Sequence, residues 1–404
     1  MIAAGTAVRL IIAFEHYGVF SDIEAYAVVD DALRANWSHA YDTMRWTYPS
    51  GFFPWILTAG WLSRTFDLAF NGVIKLASIA ADAALAYLVQ SLLGGRGYDA
   101  RTRLLATAAI AFGPIFILGT AWNGQLDSFA ILPAVAALAV WLGGGERRGP
   151  IAGGLIGLAA SIKTVPIFLV LALLPSARDA RERLVMAAAA VAVPVVLLVP
   201  FLIGDHTATV DSLRSNHGFA GYGGLSLALQ PRLIDYWVFN ELVEPTDLVI
   251  ALRDSQQLIV AGAVALVGVV LWRRRVDPVT GAATIWLTVF VANPDFFFTY
   301  LIWGMPFFLI AGWVRATIAL QLTLMIPAAL LYRIALEPSD LTISIIYRPF
   351  VLGAWLAMIA ALALVLARIW TRRYPISSAA ASLASSSRAD PGSSASPARA
   401  WGRR

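Results

Sequence analysis

The run Pro150–Pro175, PIAGGLIGLAASIKTVPIFLVLALLP, is apolar almost throughout, yet it carries Lys163 and Pro166 at its centre. Arg147 and Arg148 precede it, and Arg178, Arg181 and Arg183 follow it. Short arginine-rich loops stay on the cytoplasmic side of a membrane. A run bounded by such loops at both ends must therefore cross twice or not at all. Pro166 has no N–H to continue a helix and biases Val165 toward extended backbone. The expectation is a hairpin of two short helices, with Lys163 near the outer tip.

Outward from this hairpin, further apolar runs lie at about 72–93, 104–121, 128–142, 184–203, 256–272, 281–293, 299–313, 316–334 and 349–370. Most approach the roughly 20 residues that a hydrocarbon layer requires. They are continuous rather than alternating, which argues against a membrane barrel. The chain has 404 residues, of which 59% are hydrophobic and 14% charged, and this composition excludes an ordinary soluble domain. There is no cysteine, so disulfides and thiolate metal sites are excluded. The net charge of +5 comes largely from arginine clusters between apolar runs, which set orientation and give no reason to expect a nucleic-acid partner.

The clusters at Arg96, Arg101 and Arg103, at Arg273, Arg274 and Arg275, and at Arg368, Arg372 and Arg373 are placed inside by the same rule. The run 52–66 bears Arg64 and is short; if it crossed, the 94–103 loop would fall outside, so it reads as a juxtamembrane helix on the outer face. Met1 to Phe14, with Arg9, reads as a first spanning helix, not as a removed signal peptide. The expected fold is thus an all-α polytopic membrane protein of about 12 transmembrane helices with outer juxtamembrane helices and both termini inside. Residues 1–375 form the membrane domain, and the Ser/Ala/Arg-rich tail 376–404 is expected to be a disordered cytoplasmic extension.

This topology collects the polar groups on one side. The loop 15–51 holds Asp22, Glu24, Asp30, Asp31 and Arg45-Trp46-Thr47-Tyr48-Pro49. Trp122-Asn123-Gly124-Gln125-Leu126-Asp127, the stretch 204–255 with Arg214 and His217, Asn293-Pro294-Asp295 and Glu337-Pro338-Ser339-Asp340 join it. Bilayer proteins rarely place acidic residues at a membrane face without a use for them.

These motifs resemble the glycosyltransferase C superfamily, the integral membrane enzymes that use polyprenyl-phosphate-linked sugars. Asp22-Ile23-Glu24 has the form and place of the superfamily's acidic pair in the first outer loop. With Arg45 to Ser50, the loop looks most like mannosyltransferases of the glycosylphosphatidylinositol type and their bacterial relatives. Trp122 to Ser128 resembles their second outer-loop motif, Ile162 to Pro166 their Lys-x-x-Pro hairpin, and Tyr300 to Pro306 their Tyr-x-x-Trp-x-x-Pro helix. Tyr48-Pro49-Ser50-Gly51 departs from the double-Pro or Thr-Pro usual there. The resemblance covers most of residues 1–315. It implies sugar transfer, with mannose as the sugar, from a polyprenyl-phosphate carrier to a lipid or glycan acceptor. The setting would be the outer side of a bacterial-type plasma membrane. A lipid or polyprenol-sugar transporter is the rival reading.

Sugar transfer needs a base for the acceptor hydroxyl and stabilisation of the departing phosphate. Asp22 is the base candidate; the alternative is that Ser21 or Asp22 caps a helix. Glu24 is the second catalytic candidate, although on a helix it would face away from Asp22. Lys163 is the first candidate for the phosphate, since an ammonium within an apolar hairpin is costly without an anion; snorkelling to headgroups is the alternative. Arg45 and Arg214 are the other cations considered. Asp127 reads as a sugar ligand or as the cap of a helix from Ser128, and Tyr48 as a lining residue. His217 reads as a site residue or a solvated one, and Tyr300 and Trp303 as a lipid-groove wall or an aromatic belt. Asp30 and Asp31 read as a solvated helix face. No cofactor is expected; Asp22, Glu24 and Asp127 could assemble a divalent oxygen site, but no obligatory metal is expected.

Overall fold

The computed structural model describes residues 1–215, 218, 220–233, 244–334 and 342–371. The described residues form helices and turns and no strand. The helices are α1 (Ile2–Glu15), α2 (Phe20–Asn36), α3 (Phe53–Phe66), α4 (Phe70–Gly95), α5 (Ala100–Ala111), α6 (Pro114–Phe116), α7 (Asp127–Gly143), α8 (Arg148–Ile162), α9 (Leu169–Leu173), α10 (Ala180–Gly204), α11 (His206–Arg214), α12 (Gly224–Leu229), α13 (Asp247–Asp254), α14 (Gln256–Arg274), α15 (Pro278–Ala292), α16 (Leu301–Ile310), α17 (Val314–Ile334) and α18 (Thr342–Thr371).

Among the described residues, six segments are long and apolar enough to cross a membrane: α4, the stretch Ala100–Asn123, α10, α14, α17 and α18. A seventh arises if α1 and the segment after it, bent by 82°, count as one span. The expectation of twelve crossings is therefore not met by length alone. The apolar segments Asp127–Gly143, Arg148–Ile162, Val165–Ser176, Pro278–Ala292 and Phe298–Ile310 are all shorter than a full span.

The arginine loops gather at one end of the bundle. Arg148 pairs with Glu182 at 2.8 Å and lies over Trp141; Arg178 donates to Gly144 O. Arg183 lies over Trp272, Arg274 over Trp370, and Tyr98 donates to Ala311 O. From that end α7 and α8 run, with 17 and 15 residues, to Asp127 and Lys163. At 1.5 Å per residue that is about 22–26 Å, just short of a roughly 30 Å hydrocarbon layer. The polar motifs thus lie at the opposite end, close to the far boundary.

Close packing holds α8 there. Gly153 and Gly157, a Gly-x-x-x-Gly pair, let α8 approach α10 so tightly that a Cβ at Gly153 would lie 2.2 Å from Met186 O. Small residues at such spacing drive helix association in lipid. The hairpin after α8 forms as expected, but its return limb is two 3₁₀ turns around the five-residue α9. At the polar end, α2 turns across the bundle. Its Asp22, Glu24, Asp30, Asp31 and Arg34 are too many charges for a span. Helix α3 packs against α2 and α4, consistent with a juxtamembrane position.

Candidate functional site

Lys163 sits where α8 ends, in extended backbone with φ −137° and ψ 133°. The chain cannot continue as helix into Pro166, and this break points the lysine inward. Its ammonium makes an ion pair with Asp127 Oδ1 and is only 5% exposed at the side chain. Asp127 is the first residue of α7, where the helix N-terminus favours a carboxylate. Trp303, on α16, donates its indole N–H to the same Oδ1. Asp127 Oδ2 is buried and, among the described residues, has no hydrogen-bond partner. The Lys163 ammonium lies 5.0 Å from the Tyr48 ring centre and 5.1 Å from that of Trp303, within cation–π range. Tyr300 stacks on Trp303 at 4.4 Å.

Asp22 lies in the first turn of α2, half-buried. Its Oδ2 accepts from Gln125 Nε2 at 2.6 Å, and Asn123 also hydrogen-bonds it. Burial pushes its pKa above the ordinary carboxylate value; the bond from Asn123, the charge of Lys163 and the bond from Gln125 oppose this, and the charge of Asp127 adds to it. Both amides come from one irregular segment: a π-helical stretch Ile117–Asn123 followed by Gly124 at φ +85°. A side chain at Gly124 would be strained by that φ and would crowd Ile23 and Lys75. Tyr26, also on α2, donates to Gly124 O at 3.1 Å and ties the two segments together.

Beside this cluster lies a cavity of about 760 Å³, within the usual range for ligand sites. Tyr48, Lys163, Arg214, Asn293, Tyr300 and Trp303 line its polar part. Val191 and Val195 of α10 and Leu258 of α14 line the apolar part and are 55%, 51% and 77% exposed. Between these two helices the cavity therefore meets the surface that lipid covers. Arg214 is exposed and, among the described residues, has no hydrogen-bond or ion-pair partner.

Of the expected site residues, Asp22, Asp127, Lys163, Tyr48, Tyr300 and Trp303 come together, and Arg214 joins them at the cavity wall. Glu24 does not: its carboxylate meets Arg45 at 3.1 Å, both about 40% exposed. Arg45 also donates to Ser21 O and does not line the cavity. His217 lies outside the described residues, as do Glu337 to Asp340 and the tail 376–404.

The structure corrects two expectations, for Lys163 and Asp30, and sets aside two alternatives, the helix caps at Ser21 or Asp22 and at Asp127. Lys163 is not an unpaired ammonium, because Asp127 neutralises it. Neither Ser21 nor Asp22 caps α2, whose cap position is Val19 without a side-chain bond. Asp127 does not cap a helix from Ser128 but begins α7 itself. Asp30 is not solvated: it is 3% exposed and meets Arg34 and Arg64, because Gly60 of α3 leaves room for its carboxylate. Asp31, by contrast, is exposed.

Other groups were missed. Arg9 and Asp82 form a buried pair at 2.9 Å, and buried Lys75 donates to His16 O and Ala13 O at the end of α1. A charged residue in each apolar run was the available signal. His39, Asp42 and Asp205 bring ligand atoms within 4.8 Å of one another away from the site. Nothing local in the sequence links Asp205 to the other two.

The fold and the cluster define an integral membrane protein with one acidic and cationic site at the end away from its arginine loops. The family model of glycosyltransferase family 87 matches residues 46–299, and the chain belongs to that family, one of GT-C-type membrane glycosyltransferases. No curated protein matches it.

Proposed function

We propose that this membrane glycosyltransferase takes mannose from a polyprenyl-phosphate carrier and delivers it to a lipid or glycan hydroxyl at the outer face. The observation that carries this reading is the cavity: one wall opens between α10 and α14 toward lipid, and the other holds Lys163, Arg214 and the aromatic pair Tyr300 and Trp303. A long isoprenoid tail suits the first wall and a phosphosugar the second. The arginine-rich end is assigned to the cytoplasm by the positive-inside rule, which sets the site outside.

In this reading Asp22 is the base. Its carboxylate takes the proton of the acceptor hydroxyl as that oxygen bonds to the anomeric carbon; the bond from that carbon to the carrier phosphate oxygen breaks, and the phosphate leaves with the electron pair. Asn123 and Gln125 orient Asp22, and their bonds favour its ionised form against the burial that raises its pKa. The leaving phosphate needs a cation with spare hydrogen-bonding capacity. Lys163 is already balanced by Asp127, so Arg214 takes the phosphate and Lys163 supports it from behind. No cofactor takes part.

The transporter reading expects ionisable groups at depth on broken helices. Arg9 and Asp82 meet that description, but they are bonded to each other, to backbone carbonyls and to the hydroxyl of Ser128. Purified protein incubated with polyprenyl-phosphate-mannose and extracted lipids tests the proposal. A new mannolipid by mass spectrometry supports it; mannose transfer from a soluble nucleotide sugar and not from the carrier contradicts it.

A further inference from the structure

The buried pair of Arg9 and Asp82 has more partners than two opposite charges require. Asp82 lies midway along α4, 2% exposed. Its Oδ1 accepts from Ser128 Oγ at 2.5 Å. Its Oδ2 accepts from Arg9 Nε at 2.9 Å and lies 2.7 Å from Thr120 Oγ1, which is equally close to Phe116 O. Arg9, 1% exposed, gives its remaining donors to Ile110 O at 2.6 Å, to Ala111 O and to Gly5 O. Ile110 O has no helical donor, because the residue four positions on is Pro114, which lacks an N–H. Arg9 thus completes the carbonyls stranded where α5 breaks.

The break leads straight into the segment that builds the site. Thr120 stands three residues before Asn123, and Ser128 follows Asp127 directly. Between them lie Asn123 and Gln125, which bond Asp22, and Asp127, which bonds Lys163 and Trp303. The π-helical turn departs from the α-helical ladder and the glycine at positive φ ends it, so the stretch lacks the continuous α-helical ladder that fixes register elsewhere. Against Asp82, the hydroxyls of Thr120 and Ser128 hold this segment on either side of Asn123, Gln125 and Asp127.

We propose that Arg9 and Asp82 are positioning residues of the glycosyl-transfer site: from within the membrane they set the register of residues 117–128 and so the place of the groups that hold Asp22 and Lys163. This inference rests on the reading of Asp22 as the base. The charged and titratable groups facing Asp22 are Lys163, Asp127, Tyr26 and Tyr48. None of them belongs to the pair, so the pair acts on Asp22 only through the segment.

Asp82→Asn would leave Arg9 as an uncompensated buried charge and can fail to fold. The informative variants remove the pins and keep the pair: Ser128→Ala with Thr120→Val, and Ser128→Thr as the conservative control. Two readouts are taken on the full chain in nanodiscs. One is steady-state transfer from polyprenyl-phosphate-mannose. The other is the Asp22 titration midpoint by infrared spectroscopy, with the carboxyl band assigned by its loss in Asp22→Asn. The double variant is expected to lose roughly 10- to 100-fold in kcat, as small misplacements at a reacting centre do, with donor KM nearly unchanged. Its Asp22 midpoint is expected to rise as the amide bonds loosen, and Ser128→Thr to restore both. A double variant with lowered thermal stability but wild-type kcat and midpoint would overturn the proposal, as would one too unstable to purify if Ser128→Ala alone folds with both readouts unchanged. If the midpoint shifts while Asp22→Asn still transfers sugar, the positioning stands and the base assignment falls.

Discussion

Lys163 and Arg214 both line the cavity, yet their surroundings predict opposite consequences of removing them. The Lys163 and Asp127 side chains are 5% and 1% exposed and bonded to each other. Lys163→Met would leave a buried carboxylate with the Trp303 N–H as its remaining donor. Breaking a buried pair from one side costs about 3–5 kcal/mol. Adding Asp127→Asn removes the stranded charge and should restore about 0.5–3 kcal/mol of that, the usual size of a coupling between touching groups. Arg214 is exposed and unpaired among the described residues, so Arg214→Ala should change stability by no more than about 0.5 kcal/mol. It should weaken polyprenyl-phosphate binding by about 1.5–3 kcal/mol, a roughly 10- to 150-fold rise in Kd. Urea unfolding in detergent gives the first set of values, and titration with polyprenyl phosphate in nanodiscs gives the second. Lys163→Met with wild-type stability and lost phosphate binding, beside Arg214→Ala with unchanged affinity, would refute this division of roles.

Further outcomes follow from individual bonds. Asp22 must be ionised to act as a base and its pKa is raised by burial, so turnover should fall as pH drops through a midpoint above the usual carboxylate range. Gln125→Leu removes a donor to the ionised form and should move that acid limb to higher pH in a pH–kcat profile. Trp303→Phe keeps the stack on Tyr300 but loses the bond to Asp127; unfolding experiments should read a loss of about 1.5–3 kcal/mol. Because the chain has no cysteine, Asp31→Cys and Asp211→Cys should react with an impermeant thiol reagent added outside cells, and Glu146→Cys and Arg273→Cys only after permeabilisation.

Much of the arrangement was legible because membranes constrain sequence strongly. Arginines mark one face, and the loops bearing Arg148, Arg178, Arg183 and Arg274 do gather at one end. The Lys163 to Pro166 break was readable because proline stops a helix wherever it occurs. Pairing was not readable. Asp127 meets Lys163 across 36 positions and Trp303 across 176, and Arg9 meets Asp82 across 73, distances at which no local periodicity carries information. Asp30 looked solvated because an acid on a helix usually is; its burial depends on a glycine on another helix. The close approach of α8 to α10 was legible in Gly153 and Gly157 and was overlooked. The count of about twelve crossings is not confirmed, because several apolar runs fold as helices too short to span alone.

If a carrier-linked sugar is transferred here, Asp22 as base must act on the bond-forming step itself. The direct measurement is single-turnover transfer from radiolabelled polyprenyl-phosphate-mannose to a lipid acceptor by wild-type and Asp22→Asn protein, with carrier binding measured on the same samples. Wild type should give product, the variant should lose about 10²–10⁴ in rate, and carrier affinity should stay within about twofold, since Asp22 lies beside the cavity and is not among the residues that line it. Equal rates for the two proteins at equal affinity would contradict Asp22 as base.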